Sequence, residues 1–143
     1  VATNIIYDKI MKGVQYVLRS AASGTAVTLP VFLSDEDPGG GERLIISPEL
    51  HTQLVGASGL AGYRYTVHLD YYNPSSISDK ERTQKVHDIQ YLLDTNITAR
   101  DANDAVYYHQ GTVVSVEYPE HDDEEIDYEA RLVYEATYPQ TLS

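Results

Sequence analysis

The amino-acid sequence predicts an α+β fold: an antiparallel sheet of three to five strands, with two amphipathic helices packed on one face. Two apolar stripes recur at helical spacing, Ile6, Ile10, Val14, Val17 and Ala21 in the first and Val86, Ile89, Leu92 and Leu93 in the second. Two other runs, Tyr63 to Tyr72 and Ile126 to Tyr138, alternate apolar with polar residues at period two, the mark of a strand with one buried face. Helices of one apolar stripe and strands of one apolar face bury each other best as two layers.

The first helix is expected from Asn4 to Ala22, capped by Thr3 or Asn4 and ended by Ser23-Gly24, with Lys9, Lys12, Gln15 and Arg19 off its stripe. Thr25 to Leu33 is β-branched but contains Pro30, which restricts it to an edge strand or an extended arm. Ser34 to Gly41 is an acidic, glycine-rich loop, and Arg43 to Ile46 a short strand. Ser47 followed by Pro48 resembles an N-cap and first helical position, so a helical turn is expected through Val55. Gly56 to Gly62 is small and glycine-rich, which makes 34–62 a flexible loop and arm within one domain spanning 1–143.

The long strand Tyr63 to Tyr72 stops at Asn73-Pro74-Ser75-Ser76. Ser78 and Glu81 form a capping box at the head of the second helix, which Asp94 to Asn96 ends. Val106 to Tyr118 is a strand interrupted near Gly111; Glu120 to Asp127 is an acidic turn, and the last strand should return as an antiparallel hairpin partner.

Composition narrows the chemistry. With 10 basic and 22 acidic residues the net charge is −12, which opposes nonspecific binding to nucleic acid or an anionic membrane. From Asp101 onward Arg131 is the sole basic residue, while Glu117 to Glu129 holds eight carboxylates. The absence of cysteine excludes disulfides and thiolate chemistry. No apolar run approaches the roughly 20 residues of a membrane span. Val1 to Ile10 lacks the regions of a signal peptide, and a first-position valine fits loss of an initiator methionine; a soluble, unexported chain is expected. Thirteen tyrosines against one phenylalanine and no tryptophan suit half-buried strands and protein interfaces equally.

No catalytic, cofactor-binding or metal-binding site emerges. His51, His68, His87, His109 and His121 match no metal-ligand spacing. His68 and Asp70 share one strand face and are placed to orient one another, although a half-exposed strand histidine is the commoner meaning. Gly39-Gly40-Gly41 sits among Asp35, Glu36, Asp37 and Glu42, where a phosphate would be repelled. His121 to Glu125 has oxygen donors for Ca²⁺ but neither the spacing nor the glycine of an EF-hand, and reads as a solvated tip.

In layout the chain resembles the tail-terminator (tail-completion) proteins of long-tailed bacteriophages. The resemblance rests on the opening helix Asn4 to Ala22 and the extended segment through Pro30. It continues with the strand Tyr63 to Tyr72 running into Asn73-Pro74, the capped helix Ser78 to Leu93, and the terminal hairpin ending Tyr128 to Tyr138. It implies a virion protein of neck or tail, made in the host cytoplasm, and not an enzyme. It further implies a ring, expected to be a hexamer, meeting the tail-tube protein on one side and a head-completion or connector protein on the other. DNA would pass through the lumen without specific binding, and no membrane or cofactor is involved. Another neck or tail component (head-tail connector, stopper or tail-tube subunit) shares these expectations. A small ligand-binding domain or enzyme using the His68/Asp70 face is the alternative of a different class.

Overall fold

The computed structural model describes residues 2–19, 29–55, 62–75, 77–100, 106–119 and 128–139; among these, side chains are described for 8–19, 29–49, 65–75, 77–100, 106–119 and 128–137. Along the chain run α1 (Ala2–Arg19), β1 (Val31–Leu33), β2 (Arg43–Val55), β3 (Gly62–Tyr72), α2 (Asp79–Thr95), β4 (Ala99–Arg100), β5 (Val106–Glu117) and β6 (Ala130–Pro139). The strands form one six-stranded sheet in the order β1-β2-β3-β6-β5-β4. The class is α+β, as expected, and β5 and β6 pair antiparallel.

The sheet differs from the expected antiparallel one of three to five strands: it has six, and it is mixed, because β1 runs parallel to β2 with Val31 beside Leu44 and Leu33 beside Ile46. The expected helical turn from Ser47 through Val55 is instead the second half of β2, which pairs with β3 from Arg43↔Tyr72 to Val55↔Gly62. Pro48 stands where β1 has ended and β2 has become an outer strand, which is where a sheet tolerates proline. An irregularity between Pro48 and Thr52 interrupts the ladder, hiding the period-two pattern that would have marked a strand. The span 34–62 is therefore not all loop and arm, since β2 occupies its middle. β4, two residues long, is too short to leave a periodic signature.

The helices pack on the sheet face carrying Leu44 and Ile46 of β2, Tyr65, Val67, Leu69 and Tyr71 of β3, and Ala130, Leu132, Tyr134 and Ala136 of β6, all in one buried cluster. From α1 come Ile10, Val14, Val17 and Leu18, and from α2 Val86, Ile89, Leu92 and Leu93. Burying each such large side chain contributes about 1.5–3 kcal/mol. The α1 stripe is thus as read at Ile10, Val14 and Val17; Ala21 lies outside the described residues, as does the side chain of Ile6. Gln15, expected on the polar side, is buried because its amide donates to Val31 O (3.1 Å) and Glu36 Oε1 (3.0 Å). The helix starts at Ala2, so Thr3 and Asn4 lie inside it rather than capping it. At α2, Ser78 Oγ accepts from Glu81 N (3.2 Å), and Asn96 closes the helix by donating to Leu93 O.

Two glycines fix how closely the layers approach. A Cβ on Gly13 of α1 would lie 2.5 Å from Tyr107 Cβ, so the helix rests directly on β5. A Cβ on Gly111 would lie 2.5 Å from Tyr134 Cζ and 2.8 Å from Tyr108 Cε1, leaving these two rings the space to meet edge to face at 5.7 Å. The expected break near Gly111 is present: Gln110 has φ of 52° and the β5–β6 register shifts between His109 and Thr112.

Candidate interaction surface

The sheet face opposite the helices is locked by charge. Asp70 of β3 stands directly across from Arg131 of β6, and the guanidinium grips it with two bonds, Nε to Oδ1 at 2.6 Å and Nη2 to Oδ2 at 2.9 Å. The hydrogen bond that Arg131 donates to Asp70 is the main reason its guanidinium is held charged well above its ordinary range. Arg131 also lies over the Tyr128 ring, 4.4 Å from its centre. Arg43, similarly, pairs with Asp37 (2.8 Å) and lies 4.4 Å over the Tyr72 ring. Two donors hold Asp37 below the usual carboxylate range, first the Gly39 amide and then the Arg43 side chain.

His68 and Asp70 share this face, but the structure does not join them. His68 Nε2 is 3.3 Å from Glu49 Oε2, on the irregular part of β2, while Asp70 is committed to Arg131. The His68–Glu49 contact is a cross-strand pair between β3 and β2.

A second polar network seals the end of the sheet beneath α2. Glu42 Oε2 accepts from Tyr71 Oη (2.6 Å) and Asn73 Nδ2 (3.2 Å), with Lys85 Nζ at 3.4 Å. Burial first, and the Glu42 bond second, push the Tyr71 hydroxyl up to about 12. Arg82 of α2 bridges Glu129 (3.3 Å) and Asp79. Arg82 and Lys85 thereby tie α2 to Glu129, just ahead of β6, and to Glu42, just ahead of β2. Among the described residues no three His, Asp or Glu side chains converge as a metal site would need. Gly39, Gly40 and Gly41 are exposed, and His121 to Glu125 and His51 lie outside the described residues or side chains. Hollows on the α2 surface, of about 460 Å³ beside Ser78, Gln84 and Asp88 and about 380 Å³ beside Thr83 and His87, are open and lined by exposed polar side chains. No described helix is long and apolar enough to cross a membrane.

The two margins of the sheet remain. β1 covers β2 only at Leu44–Ile46, so from Ser47 to Val55 β2 has, among the described residues, a strand partner on one side alone. At the other margin β4 meets β5 at Val106 and Tyr108, and the Gly111 amide donates to Ile97 O at 2.7 Å. Beyond that point Thr112 to Glu117 pairs with β6 only, again among the described residues. This stretch is visibly open: Val114 is 53% exposed and Tyr118, just after it, 44%. A register shift between Val113 and Ser115 bulges it. These margins were not singled out from the sequence; Thr112-Val113-Val114-Ser115-Val116, β-branched and uncharged, was the available signal.

Neither the protein-family models nor the curated proteins include a match to this chain.

Proposed function

We propose that this chain is a structural ring subunit of a bacteriophage neck or tail, a tail terminator that closes the tail tube and joins it to the head connector. The observation that supports this best is the sheet whose two margins are incompletely paired among the described residues, since a subunit with backbone groups left over on both flanks is suited to assembly with neighbours. The charge supports it as well. Six copies at −12 apiece carry −72 (six times −12), a field in which DNA phosphates are repelled and slide without sticking. Tail-tube and connector proteins are the proposed partners, with no membrane.

Sedimentation of the purified chain, alone and with purified tail tubes, tests the class. A ring is expected in at least one condition, and negative-stain images should show a central hole. Monomer in both conditions would remove the proposal. Particles lacking the protein separate a terminator, whose loss leaves tails of uncontrolled length, from a connector or stopper, whose loss leaves full tails and leaking or tailless heads.

A further inference from the structure

Resting on the ring reading, we propose that the open margin of β5, Thr112 to Glu117, takes the open margin of β2, Ser47 to Val55, from a second copy of this chain, so that sheets join head to tail. Unpaired strand N–H and C=O groups are satisfied along their length only by another strand. Each copy carries one margin of each kind, on opposite flanks of one sheet. Joining unlike margins uses the open stretches of β2 and β5 in every copy once the rotation closes, which is the geometry of a ring. Joining two β5 margins instead makes a pair and leaves both β2 margins bare.

Apart from its bulge between Val113 and Ser115, the β5 margin lacks the side-chain devices that keep natural edges apart. Thr112 to Val116 contains no lysine, proline or charge, and Val114 presents an apolar side chain at 53% exposure. Restraint comes from the irregularities, Val113/Ser115 on one margin and Pro48/Thr52 on the other. They divide each margin into short runs, so that one junction is weak and closure of the whole ring, or a tube beneath it, is needed to hold it.

The chain has no cysteine, so introduced thiols report on their own. Ser115→Cys and Thr52→Cys are placed in one chain and treated with a short bis-maleimide under ring-forming conditions. The double variant should yield a ladder of covalent oligomers ending at the ring size, while neither single variant cross-links with itself. Cross-linking of the Ser115→Cys single variant would overturn the proposal in favour of like-with-like pairing. A double variant that sediments as a ring yet yields no ladder would overturn it in favour of another face, leaving the ring reading intact. An unmodified chain that is monomeric with and without tubes ends both. As a second arm, Val114→Lys should weaken association roughly tenfold or more with the melting temperature unchanged. Tyr91→Lys, exposed on α2, should leave association as it was; the reverse pattern would place the junction on the helix layer and sink the proposal.

Discussion

At the scale of single residues, a few pairs set how the chain responds to substitution and pH. Asp70 is buried and leans on Arg131, whose side chain keeps about a quarter of its exposure (27% against 8% for Asp70). Arg131→Met strands the carboxylate and should cost about 3 kcal/mol, at the low end of what breaking a buried pair costs. The companion double variant Asp70→Leu/Arg131→Met should recover most of that loss in urea unfolding, since no charge is then left unpaired. Tyr71 and Tyr108 give the alkaline response. Both hydroxyls are raised from 10.0 to about 12, chiefly by burial. Folding holds them neutral, so their stabilisation is complete below pH 10 and disappears as pH rises through 12. Tyrosinate absorbance should therefore rise in two stages, the late one coinciding with unfolding. Tyr71→Phe should remove part of that late stage. The partner of His68 was not legible in the sequence, because Glu49 reaches it from a stretch whose register is broken.

At the scale of elements, legibility followed regularity. The α2 stripe, Tyr65, Val67, Leu69 and Tyr71 of β3, and Ala130, Leu132, Tyr134 and Ala136 of β6 are buried where the pattern put them, because a clean period of 3.6 or 2 is itself the consequence of one buried face. Tyr128 is half-buried ahead of β6, and the side chains of Tyr63, Ile126 and Tyr138 lie outside those described. β2 departs from its local signal: Ser47-Pro48 carries the chemistry of a helix start, and local propensity loses to pairing with eleven-residue β3. Parallel pairing of β1 leaves no local mark at all: a nine-residue return through Ser34–Glu42 is held by contacts distant in sequence, among them Arg19 Nη2 to Val31 O at 2.6 Å. The glycines test the layer spacing. Gly13→Ala adds helix propensity of about 1 kcal/mol but drives a methyl into Tyr107, and should lower stability by roughly 1–3 kcal/mol net. Ser78→Ala removes the α2 cap and should cost about 1 kcal/mol, measured by thermal or urea unfolding.

At the scale of the whole molecule, charge and margins act against each other. Copies at −12 repel, so association should strengthen as salt rises toward physiological strength, where fields are screened beyond about 8 Å. A nucleic-acid binder would show the opposite slope, and sedimentation across a salt series distinguishes them. The parallel strand β1 carries one more consequence. It touches β2 through only three residues, and two side chains of α1, Gln15 and Arg19, hook its first carbonyl. Three residues of β1 are thus all that stop the bare rim of β2 from beginning at Leu44 instead of Ser47.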